Sequence, residues 1–180
     1  MNGTSAARPN SPAVAGLNTS VVVMMGVAGA GKSTIALRLA QHLGWDFEEG
    51  DELHPAANVA KMAAGRPLSD ADRRPWLEQV ARWIDAEIAA GRGGVITCSA
   101  LKRAYRDILR RPEVLFVYLS VPRAELERRM AMRAGHFMPA ALLDSQLATL
   151  EPPDSGEAAL TVEAGGDPTH TVALIEAALS

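Results

Sequence analysis

Gly26 to Ser33 reads GVAGAGKS, a G-x-x-x-x-G-K-S spacing that sets a lysine and a hydroxyl directly behind a run of small residues. Gly26, Val27, Ala28, Gly29, Ala30 and Gly31 are small enough for the backbone to wrap an anion with its N–H groups turned inward. Lys32, Ser33 and Thr34 open the helix that follows, and its positive end adds to the attraction. Lys32 supplies a mobile cation for β- and γ-phosphates, and Ser33 supplies an oxygen for Mg2+. The plain alternative is a glycine-rich turn between strand and helix. The motif stands in the context its chemistry needs, after an apolar run and before a helical pattern, so ATP is the expected ligand.

Such a loop binds a phosphate donor and says nothing of the acceptor. Three polar clusters are candidates. In EEGDELHPAANVAKMAAGRPLSDADRRPW, Asp51 follows a strand end, where a carboxylate can take a proton from an attacking hydroxyl or hold a water of Mg2+. His54, Lys61, Arg66 and Arg73 stand behind it; a turn flanked by charged helix ends is the bland alternative. In TCSALKRAYRDILRR, Lys102 and Arg106 are four residues apart, so on a helix they share a face and could clamp an anionic acceptor. A solvated basic face fits the same spacing, and Ser99 can bond a hydroxyl or cap the helix. In RAELERRMAMRAGHFMP, Arg128, Arg129 and Arg133 crowd two turns, which suits a lid that closes over ATP. Pairing with Glu125 and Glu127 on the surface is the alternative.

These residues need a scaffold that gathers them, and the chain reads as alternating strands and helices. Strands are expected at 21–25, 45–49, 94–98, 114–119 and 160–163. Helices are expected at 32–43, from Ala56 to a stop at Gly65, from Ser69 to Gly91 with Pro75 in the first turn, and at 100–110. Further helices fall at 123–133, from Pro139 to a break at Pro152-Pro153, and at 169–179. Five such strands imply an α/β fold with a parallel sheet covered on both faces and ligands beyond the carboxyl ends of the strands. Gly26 to Ser33, Asp51 and Ser99 all follow strands directly.

The 180 residues suit one domain, expected at 20–180 behind a disordered extension at 1–19 rich in Ser, Asn, Pro, Ala and Gly. The net charge of -3 gives no electrostatic reason to expect nucleic acid. No apolar run is long enough for a membrane span, and no signal-peptide core is visible. One cysteine, Cys98, excludes a disulfide framework. A cytoplasmic location is therefore expected.

Together, GDELHPAANVAKMAAGRPLSDADRRPWL, CSALKRAYRDILR and GHFMPAALLDSQLATLEPP resemble the gluconokinase family, in the right order and with the phosphate loop in front. The resemblance covers nearly everything from Val21 to about Pro153. It implies ATP-dependent phosphorylation of D-gluconate on its 6-hydroxyl, a P-loop three-layer α/β/α fold similar to nucleoside monophosphate kinases and shikimate kinase, strand order 2-3-1-4-5, a mobile helical lid near 123–141, and a homodimer serving the pentose phosphate or Entner–Doudoroff route. With the residue chemistry, it assigns Lys32 and either Arg133 or Arg128 to the transferring phosphoryl group. Arg129 and Asp167 go to ATP, with adenine between the lid and the loop 165–168. Asp51, His54, Arg73, Ser99, Lys102, Arg106, His136 and Gln146 go to gluconate. Mg2+ falls to Ser33 with Asp51, directly or through water. A kinase of another small anion or of a nucleoside monophosphate is the near rival. A nucleotide sensor without turnover is the distant one, although Lys32, Ser33 and Asp51 are all present.

Overall fold

The computed structural model describes residues 7–9, 18–133 and 140–180. Among these residues six strands form one sheet: β1 (Ala7–Pro9), β2 (Val21–Met25), β3 (Asp46–Glu49), β4 (Gly94–Thr97), β5 (Val114–Ser120) and β6 (Ala159–Glu163). Their spatial order is β1-β6-β5-β2-β4-β3. The last five run parallel, and counted among themselves they follow the order 2-3-1-4-5. Among the described residues seven α-helices accompany them: α1 (Lys32–Leu43), α2 (Ala56–Ala63), α3 (Asp70–Ala89), α4 (Arg103–Leu109), α5 (Arg123–Met132), α6 (Ala140–Thr149) and α7 (Pro168–Leu179).

The central strand shows why a near-continuous apolar run becomes a buried parallel strand. Along β2, Val22 and Met24 pack with Ile35 and Leu39 of α1 and Val172 and Ile175 of α7. Val21, Val23 and Met25 point to the opposite face and pack with Trp76, Leu77, Val80 and Ile84 of α3 and Tyr105 and Leu109 of α4. The period-2 alternation thus feeds two cores, one per sheet face. Each fully buried side chain of this size contributes roughly 1.5–3 kcal/mol.

Three expectations shift. Ala7–Pro9, within the stretch expected to be disordered, pairs antiparallel with β6 through Ala7↔Val162 to Pro9↔Leu160. Helix α3 starts at Asp70 because Ser69 and Asp72 form a reciprocal capping box. Pro75 therefore lies beyond the first turn, inside the helix. Helix α4 begins only at Arg103, because Ala100 takes a left-handed φ of 45° that a helix cannot contain.

Candidate active site

The phosphate loop joins β2 to α1 in a conformation that glycine makes accessible. Gly29 and Gly31 have φ of 82° and 92°, and a side chain on Gly26 would meet the Leu119 carbonyl oxygen at 3.1 Å. Gly26 gives its N–H to the Ser99 carbonyl at 3.3 Å, so its part in the cradle is steric. Gly29 and Gly31 keep uncommitted amide N–H groups among the described residues. Lys32 Nζ reaches back to the carbonyls of Gly26 at 3.0 Å and Val27 at 3.1 Å. Burial lowers the lysine pKa, Asp51 and Glu49 pull it back up, and Arg133 opposes them; the net shift is downward. Asp51, Glu49 and Arg133 therefore all act on the loop lysine.

Two carboxylates come from the end of β3. Glu49, its last residue, accepts the Ser33 hydroxyl hydrogen at 2.6 Å and also bonds the Thr97 hydroxyl. Thr97 Oγ1 in turn accepts from the Gly50 N–H at 3.0 Å. Because Ser33 donates its hydrogen to Glu49, the oxygen's lone pairs remain available to a cation. Glu49 was not singled out in the sequence; the signal was the acidic run EEGDE beside a strand end. The chain then turns through Gly50–Leu53, a single 3-10 turn, and presents Asp51 exposed. Gly50 is required there, since a Cβ would lie 1.8 Å from the Thr97 carbonyl oxygen. The Trp76 indole N–H fixes the turn by donating to the Gly50 carbonyl at 2.8 Å.

A second cluster gathers where α3 and α4 begin. Lys102 Nζ lies 3.2 Å from both Asp70 carboxylate oxygens, Arg73 lies 3.7 Å from Asp70, and the Tyr105 hydroxyl donates to Asp70. Arg73 also donates to the Tyr105 oxygen at 3.3 Å. Hydrogen bonds from Tyr105 and Lys102 hold the Asp70 pKa below the ordinary aspartate range. The bond to Asp70 raises that of Lys102. Two cations and a phenol thus converge on one carboxylate. Tyr105 and Asp70 were missed as polar partners because Tyr105 reads as part of the apolar face of its helix.

Arg106 does not join this cluster. It is 1% exposed, and its guanidinium bonds Glu157 bidentately at 2.6 and 2.9 Å while donating to the Ala100 carbonyl at 2.9 Å. The late start of α4 puts Lys102 at the cap, so the two cations share no helix face. Burial pushes the Glu157 pKa up, but the Arg106 hydrogen bond and charge prevail, with help from a backbone N–H, and the net shift is downward. Arg106 thus pins the strained Ala100 backbone and shapes the loop carrying Ser99 and Lys102.

On the far side of the phosphate loop, Arg128 is exposed and bidentate with Glu125, matching the surface-pair alternative. Arg129 bonds Glu125 and the carbonyls of Gly29, Ala30 and Ala164, the last at 2.7 Å, which fastens α5 to the loop. Gln146, expected among the hydroxyl-binding groups, instead accepts from the Ala28 N–H at 2.7 Å. Asp167 caps α7, accepting from the Thr169 N–H at 2.9 Å. His136 and the rest of 134–139, the middle of the expected lid, lie outside the described residues.

A parallel sheet of order 2-3-1-4-5, a G-x-x-x-x-G-K-S loop after its central strand, and carboxylates at the end of β3, two strands away, define a P-loop kinase. A family model described as an AAA domain matches residues 21–153. The gluconokinase of Gluconobacter oxydans (strain 621H) is 52% identical over 149 residues, spanning 82% of this chain and 84% of that protein. Among solved structures, a sugar kinase from Janibacter sp. HTCC2649 shares 48% identity with a TM-score of 0.80, over 89% of this chain and 92% of the other. A gluconokinase from Sinorhizobium meliloti 1021 shares 40% identity with a TM-score of 0.78, over 91% and 92%. The fold alone extends to shikimate kinase from Aquifex aeolicus, at 15% identity and a TM-score of 0.61 over 88% of this chain and 95% of that one. The chain belongs to the gluconokinase family.

Proposed function

We propose that the protein transfers the γ-phosphoryl group of ATP to the 6-hydroxyl of D-gluconate, giving 6-phospho-D-gluconate and ADP. The observation that carries this reading is the Glu49 carboxylate on the Ser33 hydroxyl at the phosphate loop, with Asp51 two residues further on and the Arg73–Lys102–Tyr105 cluster where α3 and α4 begin. A sugar acid is one carboxylate on a chain of hydroxyls, and these groups match it. Lys102 and Arg73 answer the carboxylate, and Asp51, His54 and Ser99 answer the hydroxyls. Asp51 accepts the proton of the attacking 6-hydroxyl, while Lys32 and Arg133 meet the charge on the transferring group. Arg133 is preferred to Arg128 because it acts electrostatically on Lys32, whereas Arg128 is held by Glu125 on the surface.

Mg2+ fits the donor set. Ser33 has free lone pairs, Glu49 holds its hydroxyl, and Asp51 adds a second carboxylate, all hard oxygen ligands. When bound, the ion neutralises phosphate charge. Among the described residues no group of three or more His, Cys, Asp or Glu is placed to hold a metal ion. The edge of Arg129 is filled by carbonyls and Glu125, so it offers ATP its planar face, beside the 165–168 loop that would take adenine. The same reading includes closure of a lid from α5 towards residue 141, a cytoplasmic location and a homodimer. Among the described residues no helix is long and apolar enough to cross a membrane.

An ADP-release assay across gluconate, shikimate and nucleoside monophosphates tests the substrate. Turnover of gluconate is expected, and turnover of the others with none of gluconate would reject the reading. Phosphorus coupling to C6 of 13C-labelled product tests the position; coupling to another carbon would reject the 6-hydroxyl.

A further inference from the structure

His54 stands three residues after Asp51, and its ring stacks on Trp76 with centroids 4.3 Å apart and an interplanar angle of 15°. Its protonation is set by a neighbour on α2. Asn58, 5% exposed, directs its Nδ2 to the Asp72 carbonyl at 2.9 Å. A carbonyl can only accept, so the Asn58 amide is fixed with its NH2 group on this side. The same Nδ2 lies 3.3 Å from His54 Nδ1. An amide nitrogen cannot accept, so Nδ1 must be the acceptor, and the ring proton sits on Nε2. Among the described residues Nε2 has no hydrogen-bond partner.

We propose that Asn58 is a positioning residue that locks His54 as the neutral Nε2–H tautomer, so that His54 donates a hydrogen bond to an oxygen of the polyhydroxy acid beside Asp51. This rests on the functional reading above and deepens it. It assigns base and donor to different residues: Asp51 accepts a proton, and His54 only donates a hydrogen bond. An imidazole in this tautomer, with Nδ1 occupied by Asn58, has no lone pair free to take a proton from the substrate. The Asn58–Asp72 bond also ties α2 to the start of α3, so the donor and the cations of Arg73 and Lys102 are held in one frame.

Two measurements test this. Long-range 1H–15N NMR of the 15N-labelled full chain, with His54 assigned by its absence in His54→Gln, reads the tautomer without any substrate. A protonated Nε2 and an unprotonated Nδ1 at neutral pH are expected; a protonated Nδ1 overturns the proposal even if gluconate is turned over. Asn58→Asp presents an acceptor to Nδ1 and should draw the proton there. It should raise the gluconate KM about tenfold, the cost of one hydrogen bond, with the ATP KM within about twofold. His54→Gln, which keeps an N–H donor, should retain a lower gluconate KM than His54→Ala. An unchanged gluconate KM in Asn58→Asp, or equal KM for the two His54 variants, contradicts the donor role. Failure of the wild type to phosphorylate gluconate would instead reject the substrate reading and leave the NMR result standing on its own.

Discussion

Asp51 and Glu49 are two residues apart and differ in what they touch. Glu49 is committed to the Ser33 and Thr97 hydroxyls, while Asp51 is exposed on a turn and acts electrostatically on Lys32 and His54. Asp51→Asn should therefore leave ATP affinity within about twofold and lower kcat at least about 100-fold, the usual range for a lost general base. Isothermal titration with an ATP analogue and steady-state kinetics separate the two effects, and near-normal kcat would remove Asp51 from the chemistry. Lys102→Ala should raise the gluconate KM about tenfold or more, since a charge-assisted bond is lost, with a smaller effect on the ATP KM. The reverse pattern would reject Lys102 as a carboxylate partner. The chain's sequence made Lys32, Ser33 and Asp51 legible because spacing after a strand is enough to find them. It left Glu49 hidden, since only the register Glu49↔Thr97 and the return of α1 bring a strand-end carboxylate against Ser33.

At the scale of elements, the strands and most helices follow from apolar periodicity and caps, and these are local signals. What the periodicity missed was set by tertiary contacts. Lys102 and Arg106 fit one helical face on spacing, but the left-handed Ala100 delays the helix and a buried glutamate 51 residues away captures Arg106. Nothing in the local sequence marks Glu157 as that partner. Arg106→Ala should therefore act on stability, at about 3–5 kcal/mol for an orphaned buried carboxylate, rather than on the gluconate KM alone. Denaturant unfolding would show this; a selective KM effect at unchanged stability would return Arg106 to the substrate. Gly50→Ala should also destabilise, because backbone rather than a movable side chain blocks the new methyl group. Wild-type-like thermal melting of that variant would contradict the close approach of β3 and β4.

For the whole molecule, the ion pair has a pH signature. Glu157 is held below its ordinary pKa, so its contribution is fully present above about 4.3, the unfolded glutamate value, and is lost as pH falls through the lower folded value. Acid melts of the wild type and Glu157→Gln should converge below that window and separate above it; a constant gap would contradict the pairing. The sheet order places the phosphate loop at the centre, with Glu49, Asp51 and the Ser99 loop on one side and α5 and the 164–168 loop on the other. Donor and acceptor should thus meet over β2 and β4. The most direct measurement is a crystal structure with gluconate and a non-hydrolysable ATP analogue. The triphosphate should lie on the amides of Gly29 and Gly31, with the 6-hydroxyl beside Asp51 and about 3–3.5 Å from the terminal phosphorus. A sugar acid bound away from Asp51, or an empty loop between β2 and α1, would contradict it.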